Sequence, residues 1–467
     1  MNNQALYIVA EKSTTQFCGT MEVDKYTKDS FKDRSLWQTL SREMALPAEA
    51  LNSDGLPYEV VLSADDREDI QTLFYEGFIN SSHPDPAIRD KKAYAYIRHY
   101  KIGINREMPL FAPGYPEPMQ IKVSAIHFFL FQPRLLIFVI EVTNDGRFLQ
   151  EITLQNRVIR DLEHYDLKSL SADFLRLYSP MLYLHNRVFP GTIPEGDYST
   201  LAVKRYIKLL YRGNKLKLYL TVRLDKASDE LGSHYTLNEL LYELGTCSRI
   251  GLMTDPDNCY YPSPTYYQQL IEQNMISCFA SWRALALMDT FCLVMKSDNP
   301  DYLYDMWRSD YFEFIYINAF FIKSFLVYIN DKYKRSDASV ALENEFVAFD
   351  KVFNFHTISY NFLPQIVYAK IRHGLEIDDE LQVLNDKIKF FSEKLDRINE
   401  KKINHLLFWL AVVAVFSAVN DALELFHKIG LADPESAYYP WIGRGGLIFV
   451  ILLVVCFYLF NSKKKIS

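Results

Sequence analysis

Ser417, Asn420, Asp421 and Glu424 recur at helical spacing near the end of an otherwise apolar segment. Hydroxyl, amide and carboxylate oxygens on one face of such a helix are groups from which a cation path can be built, because they order or replace an ion's water. An ionised Asp near a bilayer centre costs on the order of 2.5–3.5 kcal/mol, so these residues should face a bundle interior or water rather than lipid. Repeated in identical copies, Asp421 and Glu424 would form acidic rings, weak metal sites touching a hydrated divalent ion through its waters. Asn420 would serve that shell without adding charge. A span that begins early would instead put all four in the outer headgroup region.

The elements that must position these residues are apolar helices. Residues 406–419 carry no charge, and the segment continues to residue 426; residues 441–460 carry one charge, Arg444. About 20 helical residues cross a hydrocarbon core of about 30 Å. The short link of residues 427–440 and the terminal lysines favour a membrane hairpin over two core helices. Lys401 and Lys402 before the first span, and Lys463, Lys464 and Lys465 after the second, place both termini in the cytoplasm. The expected location is a cell membrane, crossed twice.

Immediately upstream, Ile377, Leu381, Leu384, Ile388, Phe391, Leu395 and Ile398 are spaced 4, 3, 4, 3, 4 and 3 apart. This a/d pattern, with charges between, reads as a coiled-coil-like stalk, or as an amphipathic helix packed on its own domain. Neither Pro nor Gly lies between Gly374 and Gly430, so stalk and first span read as one helix of about 80 Å. A helix that long needs partners, and self-association is the simplest supply.

The remaining body divides by pattern. Residues 1–250 read as a cytoplasmic α/β domain. Strands are expected at 121–131 and 135–142, with a turn at 132–134, and a second hairpin is expected at 203–211 and 215–224. Helices are expected at 65–78 and 156–178. Pro-rich surface loops are expected at 84–86 and 109–118. Residues 251–373 read as helical, with long helices at 265–296, 302–334 and 338–372, the last kinked at Pro364. Within the second, Glu313, Asn318 and Lys323 interrupt the apolar run 311–329, so it reads as a buried helix rather than a third span. The stalk follows at 374–402, the spans at 403–426 and 441–460, the outer loop at 427–440 and a basic tail at 461–467. The fold class is thus an α+β cytoplasmic domain, a long-helix stalk and a C-terminal two-helix transmembrane hairpin.

Catalytic signatures are missing from this sequence. It has no Walker A loop, no G-x-G-x-x-G, no H-E-x-x-H and no G-x-S-x-G, so no enzyme is expected. The ten histidines are far apart in sequence and form no local cluster. Asp255, Asp257 and Asn258 make a carboxylate-rich turn that reads as solvated. Arg157 and Arg160, one turn apart, are a weak candidate grip for a phosphate.

Composition narrows the rest. The 467 residues are 49% hydrophobic and 23% charged, which excludes a disordered chain. Only 17 are Gly, against roughly 33 at an average of about 7%, which disfavours a Gly-loop nucleotide enzyme. A net charge of −7 disfavours direct DNA or RNA binding. The six cysteines form no C-x-x-C pair and suit a reducing compartment. Residues 1–12 lack a basic stretch followed by an apolar run, so no signal peptide is expected.

A large cytoplasmic α/β domain, a stalk running into the first span, a short outer loop and a basic tail resemble the CorA superfamily of divalent-cation transporters. The resemblance covers roughly the last 200 residues by layout and the N-terminal domain only loosely. It implies a homo-oligomer, a pentamer in that family, whose first span lines a pore for hydrated cations such as Mg²⁺. The family's Gly-Met-Asn signature is absent here; the corresponding stretch begins Asn420-Asp421. Divergent CorA-like proteins act as membrane effectors in antiphage defence, including type III CRISPR systems. That likeness implies a gate controlled by a nucleotide second messenger such as SAM-AMP, with no covalently bound cofactor. A constitutive transporter, a membrane-anchored enzyme with its chemistry in residues 1–250, and a non-conducting scaffold are the alternatives.

Overall fold

The computed structural model describes residues 7–23, 26–60, 97–112, 117–131, 135–161, 169–190, 199–211, 215–229, 235–335, 340–354, 357–359 and 361–428. The expected helix at 65–78, the loop at 84–86, the turn at 132–134, the second span at 441–460 and the tail lie outside these residues. So does all of the outer loop after residue 428. The chain forms two units, Met1–Leu384 and Asn385–Ser467.

The first unit is built on one ten-stranded sheet. Its strands are β1 (Val9–Glu22), β2 (Tyr58–Glu59), β3 (Ile97–Leu110), β4 (Met119–Phe131), β5 (Leu135–Thr143), β6 (Arg147–Phe148), β7 (Lys217–Leu224), β8 (Met275–Ile276), β9 (Trp282–Ala286) and β10 (Thr290–Met295). The order is β2-β3-β4-β5-β1-β7-β10-β9-β8, with β6 beside the start of β1. Neighbours are antiparallel except β7 and β10, which are parallel. Both faces of the central strands are covered, so β5 is buried along almost its whole length and reads as a continuous apolar run.

One face packs against α1 (Arg34–Glu43), α2 (Leu149–Arg160), α3 (Ser179–Val188) and α4 (Thr200–Tyr211). Phe17, Ile102, Phe128, Phe138 and Ile140 meet Trp37, Val158, Met181 and Val203 there. Asp33 starts α1 by accepting from the backbone N–H groups of Ser35 and Leu36 at 3.0 and 3.1 Å. Toward the β7–β10 end, α5 (Leu237–Gly245) and α6 (Pro264–Asn274) build a second cluster with Leu220, Val222 and Val294.

The opposite face is covered by a helical run. It comprises α7 (Asp301–Met306), a π-helical segment (Trp307–Tyr316) and α8 (Ile317–Arg335), followed by α9 (Val340–Phe353) and α10 (Phe362–Gly374). Phe129 meets Phe312 edge-on, Phe131 stacks on Phe321 with centroids 3.9 Å apart, and Tyr219 packs against Tyr316. Sheet side chains hold the wide π turn. Tyr219 donates to the Trp307 carbonyl at 2.8 Å and Gln16 to the Arg308 carbonyl at 3.0 Å.

Several expectations need correction. Residues 203–211 are helical, within α4, because Ala202, Val203 and Ile207 turn one stripe to the core and Ser199 opens the helix. Residues 265–296 are helical only to Asn274; β8, β9 and β10 follow. The run 290–295 is buried throughout, and a short apolar run is equally compatible with a core strand. The sheet therefore takes strands from both sides of residue 250. Residues 156–178 do not form one helix, since α2 ends at Arg160. Residues 338–372 form two helices, and Pro364 sits in the first turn of α10, where a missing N–H costs little.

Among the described residues, two helical stretches are long and apolar enough to cross a membrane, Asp301–Tyr333 and Ile377–Ala418. The most apolar window of the first is 83% buried inside the body, and that of the second is 0% buried. The second belongs to α11 (Ile377–Lys428), a helix of 52 residues.

Candidate functional site

Along α11 the heptad positions divide. Ile377, Leu381 and Leu384 are buried in the body, Ile388 and Phe391 are half-buried, and Ile398 is exposed. The start of the seam therefore packs on its own domain. Farther along, Leu406, Leu407, Trp409, Leu410, Val413 and Phe416 are all exposed and cover about half of the helix circumference, while Phe408, Val412 and Val415 on the other side are half-buried. Ser417, Asn420, Asp421 and Glu424 are likewise exposed. With Glu424 as zero and 100° per residue, they fall at about 20°, −40° and 60°, a sector about 100° wide.

The two candidate arginines are occupied. Arg157 donates to the Cys247 carbonyl from Nε at 3.2 Å and from Nη2 at 2.7 Å. Arg160 pairs with Asp289 at 3.0 Å and donates to Thr290 Oγ1 at 3.3 Å. The carboxylate turn is closed on itself, the Asn258 N–H donating to the Asp255 carbonyl at 3.0 Å. Cys18, Cys247, Cys259, Cys278 and Cys292 are free thiols.

Another constellation appears beneath the π segment. The registers place His99 opposite Phe129 and His127 opposite Lys101, so the two imidazoles are diagonal neighbours on one face. On β5, Glu141 lies opposite Ala125 of β4 and Gln16 of β1, which continues the polar row across four strands. Irregular pairing between Gly103 and Arg106 in β3, and between Val123 and Ala125 in β4, sets this alignment. His99 Nε2 and His127 Nδ1 are 2.9 Å apart. Glu313, from the π segment, brings Oε2 to 3.6 Å from His99 Nδ1. At the other end Glu141 Oε2 is 3.9 Å from His127 Nε2. Arg308 donates to Glu141 Oε1 at 2.6 Å and Gln16 to its Oε2 at 3.2 Å.

Burial is the main electrostatic influence here. His127 is pushed down to about 3, first by desolvation and then by the charges of Lys101 and Arg308. His99 is driven well below the ordinary imidazole value by burial, His127 and Lys101. Both rings are therefore neutral at physiological pH, the state in which imidazole ligates a metal. One potential ligand atom from each of His99, His127 and Glu313 lies within 4.8 Å of the others.

Sequence spacing did not point to this group. His99 and His127 are 28 residues apart and Glu313 lies on a helix far downstream. The available signal was a polar residue, His127, inside the buried strand 121–131. Compared with known proteins, the chain matches no family model, no curated protein and no solved structure.

Proposed function

We propose that the chain is a membrane-anchored protein that assembles with copies of itself into a cation-conducting pore, with the body acting as its regulator. The observation that carries this reading is α11. It runs without a break from buried body contacts into an apolar sleeve whose most apolar window is 0% buried, and then into a narrow polar sector. An apolar sleeve of this kind needs lipid or protein around it. Asp421 and Glu424 at the end of such a segment need water or partners, and a ring of copies offers a shared aqueous path.

In this reading Ser417, Asn420, Asp421 and Glu424 line the pore. Divalent ions such as Mg²⁺ pass with most of their water, touched through it by the carboxylates. Both termini are cytoplasmic, the membrane is the bacterial inner membrane, and the assembly is CorA-like, with five subunits by resemblance. A nucleotide messenger acting on the body, as in an antiphage effector, would gate the pore. Arg157 and Arg160 are poor candidates for its site because the chain already occupies them.

The full chain reconstituted in vesicles tests the pore with a divalent-sensitive dye. Asp421→Asn with Glu424→Gln should lower flux while leaving the assembly mass unchanged; unaltered flux removes these residues from the path. A cysteine at Ser436 should react with an impermeant reagent in intact cells, and one at Ser467 should not. Flux without any messenger would favour the constitutive transporter.

A further inference from the structure

The row Glu313–His99–His127–Glu141 contains a hydrogen-bond deficit. Its three gaps measure 3.6, 2.9 and 3.9 Å. Each gap needs one proton on an imidazole nitrogen, but two neutral imidazoles carry only two N–H groups. Whichever tautomers form, one gap sets a nitrogen lone pair against another acceptor. His127 Nε2 is the atom left over. It has no hydrogen-bond partner, although the residue is only 3% exposed. An ion that takes the two facing lone pairs, on His99 Nε2 and His127 Nδ1, leaves both N–H groups on the outer nitrogens, toward Glu313 and Glu141, and removes the deficit.

We propose that the body holds a divalent transition-metal ion of the Zn²⁺ class, ligated by His99, His127 and Glu313, with Glu141 beyond the outer nitrogen of His127. Two imidazoles and a carboxylate suit a borderline cation, whereas Mg²⁺ and Ca²⁺ prefer all-oxygen shells. This is therefore a different ion and a different place from the proposed pore.

The geometry is near what such an ion needs. Bonds of about 2.0–2.1 Å at tetrahedral angles put ligand atoms about 3.4 Å apart. The imidazole nitrogens at 2.9 Å would open slightly, and the carboxylate would close from a separation within 4.8 Å. The strands fix the two histidines rigidly, and the third ligand comes from the π segment. Such local widening of a helix is frequent at functional sites. Opposing the ion are Lys101, which faces His127 across the β3–β4 pair, and Arg308, already paired with Glu141.

The test uses the full chain in detergent, stripped with a chelator and titrated with Co²⁺ alone. One equivalent per chain should give visible ligand-field absorption that Zn²⁺ abolishes, and should raise the unfolding temperature. His127→Gln and Glu313→Gln should each weaken binding beyond the about 10–100-fold that loss of an outer partner costs. Lys101→Met, which removes a repelling charge, should tighten it. Asp421→Asn with Glu424→Gln should leave the Co²⁺ signal unchanged. No stoichiometric absorption, an unaltered titration in both ligand variants, or unchanged affinity in Lys101→Met would overturn the proposal.

Discussion

Lys323 donates to Glu380 at 3.2 Å, joining α8 to the first turn of α11. Asn330, two turns farther along α8, donates to the other oxygen of the same carboxylate at 3.0 Å. The helical run that carries Glu313 thus grips the start of the long helix. Replacing Glu380 by Ala leaves a mostly buried ammonium unpaired and should cost about 1–3 kcal/mol. Denaturant unfolding of the full chain in detergent reads this directly. If Lys323→Met with Glu380→Leu recovers the loss, the cost was the orphaned charge rather than the contact.

The seam positions should separate folding from assembly. Leu384 is 0% exposed in the body and Ile398 is 40% exposed. Leu384→Asp buries an unpaired charge and should unfold the body. Ile398→Asp should stay within about 0.5 kcal/mol of the parent stability, as surface changes usually do, while dissociating the oligomer. Mass measurement in detergent decides it, and an intact oligomer in the Ile398 variant would exclude that position from the interface.

Gly374 is needed for a close approach. A Cβ there would lie 2.5 Å from the Ala286 carbonyl oxygen of β9, a backbone atom that cannot swing away. Gly374→Ala should therefore destabilise by about 1–3 kcal/mol, as overpacking does. A melting temperature equal to the parent's would show that α10 can shift off the sheet.

Glu243 sets a pH dependence. Its fully buried carboxylate accepts from the N–H groups of Gly251 and Met253 at 2.8 and 2.7 Å and from the Tyr235 hydroxyl. Burial outweighs these donors and lifts it from 4.5 to about 7. The folded state then holds this proton more tightly than the unfolded state. The stabilisation is complete below the unfolded value of 4.5 and is lost as pH rises through about 7. Subtracting the stability–pH curve of Glu243→Gln from the parent's should isolate that fall. A flat difference would mean the carboxylate ionises freely in the fold.

Local pattern made some features of this chain legible. The long helix α11 followed from heptad spacing and from the absence of Pro and Gly between Gly374 and Gly430, since helical continuity is a property of consecutive residues. The hairpin of β4 and β5 followed from apolar strands around a Pro turn. The buried character of the π segment and α8 showed in Glu313, Asn318 and Lys323, polar residues that would be costly in lipid. Sequence could not distinguish helix from strand at 203–211 or 290–295, where short apolar runs fit either, and the neighbours that bury them decide. Nor could it place Leu384 in the body rather than in an intersubunit seam, because both environments select the same apolar residue. The imidazole pair lay furthest from view. His99 and His127 meet only because the β3–β4 register makes them diagonal neighbours, and Glu313 reaches them only because the π segment packs over that face of the sheet. Those distances are set by strand registry and helix packing, long-range properties that no window of consecutive residues contains.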